Sequence, residues 1–399
     1  MNPWRGLKDL PKSMWLLFAA TLINRSGTMV LPFLAIYLTQ KVGMTPEKAG
    51  LVLAFYGLGA LVTSPVVGKM SDKIGSLRIM KFSLIASGLV MFAYSFINDF
   101  EMIVAVTFLL SVISEAFRPA NLSLISDIVN TNMRRPAFAL NRLAINAGMS
   151  VGPVAGGFLA LLNFHYIFYV DGITSIISGI FLMMTTQKFF GEHEVHKKKL
   201  QEEEAGKIPG KIFSDSRLLY FMLALLPIPM IYLQHQSSMP VFLVQDLHFS
   251  AATYGILFTI NTVMIIFIEV PLNNSLNHWS DRKLLSIGSL LCGIGFGGMA
   301  FAKDIYSISF TIVIWTFGEM IIFPASSAYM SEIAPPLRRG EYMGVYQTIS
   351  NLAFTIGPWI GTTILEHYGS STLWIGTLIF GILSSVMMLG LKQKPAAAE

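Results

Sequence analysis

Charge is what this 399-residue chain has least of. Only 13% of its residues are Asp, Glu, Lys or Arg, against 53% hydrophobic, and its mean hydropathy is +0.60. A soluble chain of this length needs roughly 25% charged residues to cover its surface, so a soluble globular enzyme or binding module is excluded. Cysteine is nearly absent. The single Cys292 rules out an intramolecular disulfide and a thiolate metal cluster. The seven histidines are scattered, with no HExxH spacing, and no GxxxxGK[ST] loop occurs. No metal or nucleotide cofactor is therefore expected. No nucleophile, base and orienting group fall together, so no enzyme is expected either. Period-2 alternation is weak, which argues against an outer-membrane barrel.

What fills the chain instead is apolar blocks about 20 residues long, the length that crosses a bilayer core. Twelve spans are expected, near 13–38, 49–71, 78–97, 102–127, 137–161, 165–187, 217–243, 252–276, 284–302, 306–332, 342–365 and 371–391. The fold class read from this is an all-α polytopic membrane protein. With both termini placed in the cytoplasm, twenty-two of the 28 lysines and arginines fall on the cytoplasmic side. Lys41, Lys48 and Lys303 fall outside, and Arg25, Arg118 and Arg142 lie within spans. This is the positive-inside bias. It accounts for the net charge of +5 without a nucleic-acid partner. The polar stretch 188–216 divides six spans from six, so the expected units are 1–187, a cytoplasmic linker 188–216, and 217–399.

A shift of 205 residues lays "PANLSLISDIVNTNMRRPAFALNRLAINAGMSVGPVAGG" on "PASSAYMSEIAPPLRRGEYMGVYQTISNLAFTIGPWIGT". Pro119 meets Pro324, Arg134 meets Arg339, Asn146 meets Asn351, and Gly152-Pro153 meets Gly357-Pro358. Gly50 likewise falls on Gly255. One six-span unit has been duplicated, a pattern that suits a transporter with a central site between rocking halves.

Two motifs then carry a family resemblance over essentially the whole chain. The loop "GKMSDKIGSLR" resembles the G-x-x-x-D-x-x-G-[RK]-x-[RK] signature of the major facilitator superfamily, with Gly68, Asp72, Gly75 and Arg78 in place and Ser76 where the first basic residue would stand. Gly148, Gly152, Pro153, Gly156 and Gly157 match the G-x-x-x-G-P-x-x-G-G signature that marks its drug:proton antiporters in span 5. The resemblance implies two pseudo-symmetric six-helix bundles. It also implies a conformational latch at Gly68, Asp72, Gly75 and Arg78, with Asp127 completing the charge cluster. Asp72 is of a type to cap a neighbouring helix N-terminus. Glycines at i, i+4 and i+8 make a smooth stripe for helix packing, and family topology suggests span 8 as the partner. Where the family often carries a span-4 arginine, three turns before the proline, this chain has Thr107.

Ionisable groups within spans are costly and so are functional candidates. Glu115 and Arg118, three apart in span 4, share a helix face. Glu319 of span 10 falls one residue from Glu115 under the repeat shift. With Arg25, His235 and Glu269 these are the candidates for proton coupling. Asp171 and Arg142 lie nearer span ends. The resemblance places spans 1, 4, 7 and 10 along the pathway. There they offer Asn24, Arg25, Met29, Tyr37, Asn121, Gln234, His235, Gln236, Trp315 and Phe317 as cavity candidates, beside Phe33, Phe117, Met239 and Met320.

The expected function is proton-gradient-driven export of small amphipathic compounds, in the multidrug-efflux style. The chain is expected to be a monomer in a bacterial inner membrane. Uptake or exchange of a peptide, sugar or organic anion, or flipping of a lipid or lysolipid, is the alternative that the two arginines favour.

Overall fold

The structure is a computed structural model describing residues 9–44, 46–189, 212–249 and 251–391. The two termini and most of the expected linker lie outside the described residues. Among the described residues every regular element is helical. In chain order these are α1 (Lys12–Ser26), α2 (Val30–Ile36), α3 (Pro46–Ile74), α4 (Ser76–Tyr94), α5 (Phe100–Ser114), α6 (Phe117–Ile128), α7 (Arg134–Leu162) and α8 (His165–Phe189). There follow α9 (Ser216–Leu225), α10 (Pro227–Tyr232), α11 (Ser238–Gln245), α12 (Ala251–Met264), α13 (Val270–Ser275), α14 (Asp281–Gly298), α15 (Ile305–Ile333), α16 (Arg339–Tyr368) and α17 (Ser370–Leu389). Ten helices are long and apolar enough to cross a membrane. The other two expected spans, 252–276 and 342–365, are helical as α12–α13 and α16. Exposed side chains such as Phe82, Phe158, Met184 and Phe310 are apolar, as a lipid-facing surface requires.

The helices group into two units: Lys8–Pro209 with Ala334–Thr348, and Gly210–Ile333 with Ile349–Glu399. The expected second unit, 217–399, is therefore not continuous. Residues 334–348 join the first unit because its acids bind the start of α16.

Helix breaks have local causes. Span 4 divides at Glu115 and Ala116, between α5 and α6. Pro119 has no N–H for the Glu115 carbonyl and its ring crowds that group. Pro324, its repeat partner, leaves α15 unbroken. The Met320 carbonyl it frees accepts a 2.7 Å hydrogen bond from Asn273 Nδ2 instead, as a backbone group in hydrocarbon must be satisfied somewhere. Span 1 divides at Gly27, and Asp171 Oδ2 caps α2 by accepting from the Met29 and Val30 N–H groups, both at 3.0 Å. Asp171 is thus a structural cap.

Both units repeat the same joints. Ser178 donates to the Ala20 carbonyl at 2.7 Å in the first, and Ser384 to the Ala224 carbonyl at 2.6 Å in the second. Backbones cross at glycine in both. A Cβ on Gly88 would lie 2.6 Å from the Gly172 carbonyl, and one on Gly293, its repeat partner, 2.8 Å from Gly381 Cα.

The span-5 glycines pack on span 1. A Cβ on Gly148 would lie 2.5 Å from Arg25 Cβ, one on Gly152 2.7 Å from the Thr28 carbonyl, and one on Gly156 3.1 Å from Met29 Cβ. The partner of this stripe is span 1, where family topology had suggested span 8. In the second unit Gly361 of α16 meets the Gln234 side chain of span 7, and Gly357 lies at ordinary contact distance from Met230. The first joint is the tighter one, since helix backbones approach that closely only over residues without side chains.

Gly148→Val should drive span 1 off α7, at about 1–3 kcal/mol for overpacking. Gly50 has open space where a Cβ would go, so Gly50→Val should be tolerated. A scanning thermal melt of the purified variants checks this: a clear fall for Gly148→Val and little change for Gly50→Val.

Candidate functional site

Each unit holds a buried carboxylate near the middle of its fourth span, and the two have different company. In the first unit Glu115, 6% exposed, pairs its Oε2 with Arg118 Nε at 3.1 Å. Its Oε1 accepts a 2.9 Å hydrogen bond from the Tyr56 hydroxyl, itself 3.3 Å from Ser114 Oγ. Arg25 is buried and lies in the field of both Arg118 and Glu115, with its Nε making no hydrogen bond among the described residues. The site so assembles one direct ion pair, with the buried Arg25 nearby.

In the second unit Glu319 is fully buried. Its Oε1 accepts from the Tyr232 hydroxyl at 2.9 Å, and its Oε2 from Asn261 Nδ2 at 2.7 Å. Asn261 also donates to Thr316 Oγ1 at 3.1 Å. These donors are neutral. The Tyr232 ring touches that of His235, with centroids 4.4 Å apart. His235 stacks on Trp315 at 5.8 Å and sets Nδ1 2.5 Å from the Tyr232 carbonyl. No lysine or arginine occurs anywhere in 218–281 or 304–337, so spans 7, 8 and 10 bring no permanent cation to this carboxyl.

Tyr56 and Asn261 do not stand out in the sequence. They are 205 residues apart, the repeat shift, and both donate to the carboxylate of their unit. The signal that could have found them is that shift: it lays Tyr56 on Asn261 as it lays Gly50 on Gly255.

The other candidates scatter. Met29 and Tyr37 sit in the hydrophobic core of the first unit, Tyr37 against Phe168 at 4.8 Å. The bend in span 1 at Gly27 precedes both of them. Asn24 donates to Ser175 Oγ at 3.1 Å and Asn121 to Asn141 Oδ1 at 2.7 Å, both as helix-to-helix joints. Gln234 is bonded to Gly357 and Met230 carbonyls at 3.0 Å. Gln236 is exposed, Phe317 half-buried and Glu269 fully buried in a π-turn. Thr107, at the expected arginine position, bonds the Tyr94 hydroxyl at 2.8 Å.

A third cluster lies at the loop motif. Asp72 caps α16: its Oδ1 and Oδ2 accept from the Gly340 and Glu341 N–H groups, both at 2.8 Å. Asp127 pairs with Arg339 at 3.2 Å. Glu341 takes Arg338 at 2.6 Å and Lys69 at 3.5 Å. Gly68 lies against the Gly340 carbonyl with no room for a side chain, and Gly75 has φ +92°. Arg78 is exposed, and the cation on Asp127 is Arg339 instead. Arg78 follows the turn at Gly75, at the start of α4.

Two sequence-similar helical bundles, a duplicated carboxylate and a loop aspartate that caps a helix are the features of a membrane transporter. The Major Facilitator Superfamily profile matches residues 16–251 and 235–399, and the chain belongs to that family. It is a transporter and not an enzyme. The uncharacterised MFS-type transporter YqjV of Bacillus subtilis is 27% identical over 398 residues, covering 98% of this chain and 94% of that protein. The quinolone resistance protein NorA of Staphylococcus aureus is 23% identical over 359 residues, covering 89% and 90%. The human organic anion transporter MFSD10 has the same fold, with a TM-score of 0.73 at 14% identity over 94% of this chain and 98% of that one.

Asp72→Asn should leave one backbone N–H of α16 facing an amide donor. Hydrogen exchange at Gly340 and Glu341 should then speed by about tenfold, the loss of roughly one hydrogen bond. Unchanged protection would remove Asp72 as the cap.

Proposed function

We propose that this chain exports small amphipathic compounds across a bacterial inner membrane in exchange for protons, and that Glu319 carries the proton. The observation that supports this most is the contrast between the two carboxylates. Protonating Glu115 would break its ion pair with Arg118. Protonating Glu319 leaves the neutral Tyr232 and Asn261 donors behind. A carboxyl that trades a proton during turnover must be able to exist in both forms. Glu319 satisfies that condition with its tyrosine and asparagine donors. His235 and Tyr232 form the wall through which a substrate on span 7 would be felt. The likeness to NorA supports the export reading, as does the span-5 signature.

Asp72 and Asp127 act in this reading as a releasable latch on α16, whose contacts must break in each cycle. The positive-inside bias supports cytoplasmic termini.

Exchange of an organic anion is the second reading, supported by Arg25 and Arg118 facing one carboxylate. The two readings part in a proteoliposome with an inward-acid gradient. Substrate-dependent proton flux should be abolished by Glu319→Gln and retained, though slowed, in Glu115→Gln. Flux lost in Glu115→Gln and kept in Glu319→Gln would overturn the assignment. Flux unaffected by either, with anion uptake lost in Arg25→Gln, would favour the second reading.

A further inference from the structure

Arg25 lies in the last turn of α1, just before the break in span 1, and is 9% exposed. α7 presses on its stem at Gly148, which fixes where the side chain leaves the helix. Beyond that stem it is a buried cation without a bonded partner. Among the described residues no group accepts a hydrogen bond from its Nε, and no acid lies within ion-pair distance of its guanidinium.

The acids around it are committed elsewhere. Glu115 gives Oε1 to the Tyr56 hydroxyl and Oε2 to Arg118 Nε. Asp171 gives Oδ2 to the Met29 and Val30 amides. Of the charges that act on Arg25 through space, Arg118 is the strongest, ahead of Glu115 and Asp171. Arg25 therefore faces a second cation more than it faces an anion. The contact of α1 with α6 brings the two arginines into one neighbourhood.

Arg118 is itself only partly engaged. Its Nε holds Glu115, while its two terminal nitrogens donate no hydrogen bond among the described residues. Its side chain is 38% exposed, so an ion from outside can reach it. A charge taken out of water without compensation is costly, and ionisable groups within spans mark ligand and ion paths. Guanidinium forks match a carboxylate and bind anions through charge-assisted hydrogen bonds. With Glu115 ionised and Asp171 bonded to the α2 amides, the excess here is one positive charge, which selects a monovalent anion.

We propose that Arg25 and Arg118 form a binding site for a small monovalent anion within the first unit, either the carboxylate of a transported compound or an inorganic ion such as chloride. The site does not rest on proton carriage at Glu319. A carboxylate occupant names the substrate class of the organic-anion reading and rests on that reading. An inorganic occupant is a resident counter-ion and rests on neither reading.

The test is thermal melting of the full-length protein in nanodiscs, at fixed pH and ionic strength in a sulfate background, titrated in parallel with chloride and with benzoate. The melting temperature should rise saturably in the wild type, because binding to the folded state stabilises it by mass action. Half-saturation should need about tenfold more anion in Arg25→Gln, and an intermediate concentration in Arg25→Lys. It should need less in Glu115→Gln, which frees Arg118 from its partner. Glu319→Gln should respond as the wild type does. So should Lys283→Gln, which removes an ammonium that lies over Trp279. Without added anion, Arg25→Gln should melt at or above the wild type, since it removes an uncompensated charge.

Benzoate saturating below chloride assigns the site to a carboxylate. Chloride saturating with no competition from benzoate assigns it to an inorganic ion. No saturable rise with either, or the same rise in Arg25→Gln, overturns the site. So does an Arg25→Gln that melts lower and a wild type that ignores both anions, which makes Arg25 a structural residue. Weaker binding in Glu115→Gln overturns the share given to Arg118. Proton flux that does not depend on Glu319, with the anion response intact, overturns the transport reading alone.

Discussion

Within hydrocarbon no polar group can turn to water, and this one constraint organises the molecule. A freed carbonyl at Met320 calls up Asn273 from a neighbouring helix. A broken span 1 calls up Asp171, buried to cap two amides of α2. Serine hydroxyls of spans 6 and 12 stitch onto the backbones of spans 1 and 7. Lipid is as apolar as leucine, so burying apolar area drives helix association far less than it does in water. Glycine crossings and internal hydrogen bonds carry the specificity, which is why both recur in the two repeats.

The same constraint explains the difference between the two carboxylates. Duplication gave each unit an acid on its fourth span and a donor on its second, Tyr56 or Asn261. The first unit then paired its acid with Arg118 and keeps a standing ion pair. The second unit holds its acid with neutral donors and an aromatic stack of Tyr232, His235 and Trp315. A pair of sites that began alike has diverged into one held by an ion pair and one bonded by tyrosine and asparagine. The divergence reaches the loop motif too: the second half has Asn277 where Asp72 would fall.

Much of this is legible in the chain. The low charge, the apolar blocks and the lysine and arginine bias define a polytopic helical protein, because membrane insertion is a composition problem. The 205-residue shift and the loop motif predict the duplication and a capping aspartate. Tertiary partners are not legible. Nothing in "NAGMSVGPVAGG" says that its glycines face Arg25, Thr28 and Met29, since a smooth stripe fits any close neighbour. Nothing in the sequence says that Met29, Leu34 and Tyr37, beyond the break at Gly27, sit in the core of the first unit. Arg339 reads as a surface charge, and only the fold brings it to Asp127. The donors Tyr56 and Asn261 sit between these cases: the repeat pairs them, but their meaning emerges only beside the acids they hold.

The central claim is that Glu319, and not Glu115, exists in a protonated form under working conditions. Infrared difference spectroscopy of the reconstituted protein through a pH titration addresses it without a substrate. The carbonyl stretch of a protonated carboxylic acid should appear and titrate in the wild type, persist in Glu115→Gln and vanish in Glu319→Gln. A band that survives in Glu319→Gln and disappears in Glu115→Gln would contradict the account.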